Sequence, residues 1–191
     1  MIGTNSSMSF QKPVGWIAKI TRRFWQRQER TLFLQLAEGV RFFDIRVQYR
    51  KPAVFIRHQY YCHGRHRFVL NQADETEKSR NFVETLQMLQ LAGSIVSLTL
   101  ERGDEEDREI FRQMKWHELF KDCVQLVRIK TGRNAYEDVF RSEKLPEIVD
   151  MTLHKKWWQL ITPKAWAMKH NKITDREIEA DTIYLYDYYN L

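Results

Sequence analysis

The sequence predicts an α/β fold, a short (β/α) barrel of the TIM type with some βα units trimmed or missing, organised as a single domain over residues 1–191. Three observations lead there. Strand-like and helix-like stretches alternate along the chain. Ile95-Val96-Ser97-Leu98-Thr99-Leu100 is a near-continuous apolar run, the pattern of a parallel strand covered on both faces. And 191 residues make one domain with a sizeable core, yet fall short of the ~250 residues of a full barrel and near its lower limit of ~200. Aromatic residues make up 13% of the chain against only 7 Gly and 4 Pro, which excludes a linker-rich or disordered chain.

Residues 1–5 read as a clipped first strand. Residues 28–38 read as a helix, because Leu32, Phe33, Leu36 and Ala37 recur at helical spacing before Gly39 stops them. Strands are expected over 40–47 and 53–61, separated by Lys51-Pro52 at a turn. In 75–92, Phe82, Leu86 and Leu89 form an apolar stripe that Gly93 ends. After the strand at 95–100, residues 104–121 read as one helix, with acidic residues in the first turn and Ile110, Phe111 and Met114 inward. A strand is expected over 124–129. Residues 138–171, with Trp157, Trp158, Pro163 and Trp166, read as a partly irregular cover, and 183–188 as the closing strand.

The residues most informative about chemistry lie in Val40-Arg41-Phe42-Phe43-Asp44-Ile45-Arg46-Val47, where a carboxylate and a guanidinium stand two apart inside an apolar strand. Strand side chains alternate faces, so Asp44 and Arg46 point the same way. Phe42, Phe43, Ile45 and Val47 leave neither face wet. Two buried charges must be paired or used. Both a structural ion pair and a functional site fit this pattern.

Further segments around this strand give the chain a resemblance to the phosphatidylinositol-specific phospholipase C X-domain family, within the phospholipase-C-like phosphodiesterases and of the bacterial, metal-independent type. Ile2-Gly3-Thr4-Asn5-Ser6-Ser7-Met8-Ser9-Phe10 resembles the family's Gly-Thr-His-Asp-Ser turn with two changes. Leu34-Gln35-Leu36 and Gly39 to Arg46 match the family's Gly-Val-Arg-Phe-Phe-Asp-Ile-Arg strand and the helix before it. His63-Gly64 is similar to its His-Gly pair, Ser94 to Glu101 to its strand ending in a substrate-facing carboxylate, and Thr182 to Tyr188 to its last strand with Asp187. The resemblance spans essentially the whole chain and implies the same α/β barrel.

Cleaving a phosphodiester by attack of a neighbouring hydroxyl requires a base, an acid for the leaving oxygen, and positive charge on the phosphoryl oxygens. The resemblance implies His63 as general acid, Arg46 as phosphate clamp, Asp44 as its partner or a contributor to leaving-group protonation, Asp187 as the carboxylate that orients the first histidine, and Glu101 and Ser6 as substrate contacts. Arginine suits the clamp because its planar fork stays charged and meets oxygen pairs. At the base position, however, the chain carries Asn5, and Ser6 stands where an Asp is usual. An amide accepts no proton at neutral pH. An engineered substitution, a degenerate binding protein or a displaced base such as His58 or His66 would each account for this. His154, Met168 and His170 read as structural or exposed.

No cofactor and no metal are expected. The calcium-using branch of the family has acidic ligands where this chain has Arg46, and Phe42-Phe43-Asp44 lacks the Glu-x-Asp cluster of metal-using relatives. The formal charge is +6, concentrated in Lys19 to Arg30, where Arg22, Arg23, Arg27 and Arg30 surround Phe24 and Trp25. Such a segment fits a solvated helix with two core aromatics, an anionic membrane surface, or nucleic acid. The resemblance favours a lipid-headgroup phosphodiester as substrate with peripheral membrane contact, and disfavours nucleic acid. Trp157-Trp158 reads as core cover before membrane anchor. Cys62 and Cys123 allow one disulfide, too few for a secreted scaffold. The N-terminus has no apolar h-region and no stretch reaches the ~20 apolar residues of a membrane span, so the chain as written is expected to be soluble and cytoplasmic by default.

Overall fold

A computed structural model describes residues 1–4, 7, 28, 30–50, 59–62, 66–69, 82–132, 135–150, 167 and 182–186. Among them the strands β1 (Ile2–Thr4), β2 (Phe42–Arg50), β3 (Gln59–Cys62), β4 (His66–Val69), β5 (Ile95–Arg102), β6 (Val124–Lys130), β7 (Tyr136–Arg141), β8 (Glu147–Asp150) and β9 (Thr182–Tyr186) form one mixed sheet. Its order is β7-β6-β5-β2-β1-β9-β8. The run from β6 to β8 is parallel throughout, β7 returns antiparallel along β6, and β3 and β4 form an antiparallel extension of β2. The chain moves outward from β1 through β2 and β5 to β6, then re-enters on the far side of β1. This is the circular order of a barrel that is incomplete, an α/β half-barrel of TIM type, as expected.

Side chains alternate across this sheet and divide the core in two. The outer face carries Phe43, Ile45, Val47, Val96, Leu98, Leu100, Val127 and Ile129, packed with Leu86 and Leu89 of α2 (Phe82–Leu91), Phe111 of α3 (Glu105–Gln113) and Trp116 of α4 (Trp116–Leu119). The inner face begins, at the N-terminal end of the strands, with Phe42, Ile183 and Leu185, joined by Ile95 and Ile148. Gly3 lies among them. A Cβ there would stand 2.8 Å from Leu185 Cδ2 and 3.0 Å from Phe42 Cδ1, so the interior closes over β1 only because this residue has no side chain.

Three helical expectations are corrected. α1 (Leu32–Ala37) starts at Leu32, not at residue 28, because Thr31 caps it by accepting from Leu34 N. Its buried positions are Leu32 and Gln35, while Phe33 is exposed, so the helical stripe inferred from the sequence is displaced by a polar residue. Gly39, at φ +93°, ends the segment as expected. The single helix over 104–121 is two: Asp104 starts α3 with a reciprocal capping box to Asp107, and Lys115 breaks the run in the left-handed region at φ 45°. The break turns Trp116 inward, where its ring lies 6.4 Å from both Phe111 and Phe120.

Strands β7 and β8 occupy part of the stretch read as irregular cover. Their residues pack against neighbouring strands with only partial burial, and this leaves a weak alternation in the sequence. Trp157, Trp158, Pro163 and Trp166, and the helical expectation over 75–81, lie outside the described residues. Cys123 is a buried free thiol.

Candidate functional site

Three neighbouring parallel strands each place two polar residues, two positions apart, on the inner face. β2 carries Asp44 and Arg46, β5 carries Thr99 and Glu101, and β6 carries Arg128 and Lys130. The register aligns them, since Arg46 lies opposite Thr99 and Thr99 opposite Arg128. The inner face therefore changes from apolar at Phe42 and Ile95 to polar two residues further along, at Asp44 and Ser97. Glu101 is the penultimate residue of β5 and Lys130 the last of β6, so the charges gather toward the C-terminal end of the strands. In barrels of this kind that end carries the functional groups.

The charges form a continuous ion-pair network. Arg46 Nε donates to Asp44 Oδ2 at 2.6 Å, and Arg46 Nη1 to Glu101 Oε1 at 3.1 Å. Lys130 Nζ donates to Glu101 Oε2 at 2.9 Å. Arg128 Nε donates to Thr99 Oγ1 at 2.9 Å, its Nη2 lies 3.5 Å from Asp44 Oδ1, and its guanidinium sits 4.7 Å above the centre of the Tyr136 ring. Side-chain exposure rises from 1% at Asp44 and 8% at Glu101 to 14% at Arg46, 21% at Arg128 and 26% at Lys130. The carboxylates thus form the floor and the cations the accessible layer. Burial would by itself lower the basicity of Arg46. The charge and hydrogen bond of Asp44, with the charge of Glu101, outweigh it, and the guanidinium is held above its usual range, permanently charged. Among the described residues, three cations face two carboxylates in this network.

The backbone beside β1 is tied to the same place. Ser7 N donates to Asp44 O at 2.9 Å, and Ser7 Oγ to Thr4 O at 2.8 Å. Gln35, fully buried on α1, accepts from Thr4 Oγ1 at 2.8 Å and donates to Ser7 O at 3.0 Å and Arg30 O at 2.8 Å. The polar residue that displaced the helix stripe therefore anchors both Thr4 and Ser7. On the other side of β1, Gln28 donates to Tyr186 O at 2.9 Å.

Of the residues expected from the sequence, Asp44, Arg46 and Glu101 meet in one network. Asn5, Ser6, His63 and Asp187 lie outside the described residues, as do the side chains of His58 and His66 and the positions His154, Met168 and His170. Most of the basic segment, including Arg22, Arg23, Phe24, Trp25 and Arg27, also lies outside them. Its last residue, Arg30, sits 3.6 Å from Glu38. Arg128, Lys130 and Tyr136 were not anticipated. A signal for the first two was present, since Arg128-Ile129-Lys130 repeats in β6 the two-apart charge spacing of Asp44-Ile45-Arg46. No helix among the described residues is long and apolar enough to cross a membrane.

Comparison with known proteins adds a structural neighbour. No family model matches the sequence, and no curated protein matches it. Among solved structures, the phosphatidylinositol-specific phospholipase C from Listeria monocytogenes superposes with a TM-score of 0.55 at 13% identity, covering 98% of this chain and 87% of that one. At that identity the likeness is one of fold, and the fold of this chain is phospholipase-C-like: an incomplete TIM-like α/β barrel.

Proposed function

We propose that this chain is a phosphodiesterase of the phosphatidylinositol-phospholipase-C type whose inner-face cations receive the phosphodiester of a lipid headgroup. The observation that carries the reading is Arg46, a half-buried and permanently charged guanidinium fixed by Asp44 on a phospholipase-C-like fold. An oxyanion needs such a donor, because a planar fork stabilises charge spread over two phosphoryl oxygens. In this reading Asp44 fixes the fork, and Glu101 and Ser6 contact the substrate. His63 delivers a proton to the leaving oxygen, and Asp187 orients the group at position 5. The guanidinium supplies the charge that a divalent cation supplies elsewhere, so the reaction proceeds without metal. Membrane contact through the basic, aromatic segment at residues 19–30 brings the site to its substrate.

Asn5 favours a second reading, in which the chain retains the phosphate pocket and binds a headgroup without cleaving it. An amide provides no base, and loss of a general base costs ~10²–10⁴-fold in rate. The test is release of soluble phosphorylated headgroup from phosphatidylinositol vesicles by the native chain, Asn5→His and Arg46→Ala, each with chelator present. The enzyme reading expects Asn5→His to gain a large part of that factor and Arg46→Ala to be inactive. Equal rates for native and Asn5→His in folded protein, with vesicle binding retained, select the binding reading.

A further inference from the structure

Glu101 holds two cations at once, one oxygen on each: Oε1 on Arg46 Nη1 at 3.1 Å and Oε2 on Lys130 Nζ at 2.9 Å. This is the arrangement by which a phosphoryl group would bridge the same two side chains with two of its oxygens. The strands impose it. Arg46 and Lys130 come from β2 and β6, and Glu101 comes from β5 between them. Asp44 already fixes Arg46 through Nε, so Glu101 is not needed to orient the guanidinium.

We propose that Glu101 is a built-in occupant of the anion site, an internal carboxylate that an entering phosphoryl group must displace from Arg46 and Lys130. The inference rests on Arg46 as the phosphoryl clamp, and it assigns to Lys130 the role of second anion ligand. The substitute is self-limiting. Glu101 offsets part of the charge of both cations, and weakly charged or single-oxygen anions fail to displace it because they cannot replace both contacts. A phosphoryl group with two free oxygens can. Displacement frees the carboxylate to accept from hydroxyls of a headgroup, so one residue discriminates at both stages.

The experiment is calorimetric titration of inorganic phosphate, a probe without headgroup hydroxyls, into the native chain, Glu101→Gln, Glu101→Gln/Lys130→Met and Arg46→Ala. Glu101→Gln keeps the side-chain shape but removes a charge that lies within hydrogen-bond distance of both cations. It is expected to bind phosphate at least about tenfold more tightly than the native chain, and Lys130→Met is expected to reverse that gain. Unchanged or weaker binding by Glu101→Gln, while the native chain binds and Arg46→Ala does not, overturns the displacement and leaves the clamp standing. A gain that survives Lys130→Met overturns the bridge. Equal binding by the native chain and Arg46→Ala, or binding by no variant, removes the clamp itself. Should Glu101→Gln fail to fold, a crystal structure of the native chain soaked in phosphate decides the matter. Phosphate between Arg46 and Lys130 with Glu101 swung away supports displacement, and an intact Glu101 bridge with phosphate elsewhere overturns it.

Discussion

Replacing Arg46 by methionine keeps most of the aliphatic stem and removes the charge, leaving Asp44 with a side chain 1% exposed and deprived of its 2.6 Å donor. Two unit charges about 4 Å apart interact by roughly 4 kcal/mol at an effective dielectric of ~20, and removing one member of a buried pair costs ~3–5 kcal/mol. Arg128 Nη2 remains 3.5 Å from Asp44 Oδ1 and retains part of the compensation, which places the expected loss at ~2–4 kcal/mol. For a chain of this size that corresponds to a fall in Tm of roughly 4–16 °C. Equilibrium unfolding in urea, with an unchanged slope, is the assay. Asp44→Asn added to Arg46→Met removes the carboxylate that lost its closest donor and is expected to recover more than ~1 kcal/mol, because the two residues are coupled. A loss below ~1 kcal/mol for Arg46→Met, or no recovery in the double variant, would refute the view that a desolvated ion pair forms the floor of this site.

Gly3→Ala forces a Cβ to within 2.8 Å of Leu185 Cδ2 and is expected to cost ~1–3 kcal/mol by overpacking; a neutral result in thermal melts would mean that β1 does not close the apolar end of the interior. Gln35→Leu takes the amide donor from Ser7 O and Arg30 O, while Thr4 Oγ1 keeps its 2.8 Å bond to Ser7 Oγ, and is expected to cost ~1–3 kcal/mol and to raise hydrogen exchange at Ser7 N, which pairs with Asp44 O; unchanged exchange there would sink the anchoring role. Cys123 is pushed up to about 12 from 9.0 by burial, so the folded chain keeps a proton that the unfolded chain releases, and stability is expected to decline as pH rises between those values. Cys123→Ala should flatten that decline. For the same reason Cys123 should resist iodoacetamide until the chain is unfolded, and rapid labelling of the folded protein would contradict its burial.

The sequence alone determined the class of fold and the nucleus of the site through periodicity, which is a local property. Ile95 to Leu100 carries the pattern of a strand covered on both faces, and Asp44 and Arg46, once in a strand, share a face because strand side chains alternate. Whether that face was an ion pair on a surface or a site inside a barrel depended on the register of three strands separated by dozens of residues, and no local pattern carries register. Tertiary structure decided that Arg128 and Lys130 join Asp44, Arg46 and Glu101. It also decided that Gln35 turns inward from an apparent apolar stripe, since burying it is repaid only by Thr4, Ser7 and Arg30, which the helix sequence does not contain. The break at Lys115 has the same origin. Helix propensity runs on through it, and what ends α3 is the burial of Trp116 against Phe111 and Phe120, a packing gain visible only once the strands beneath are in place.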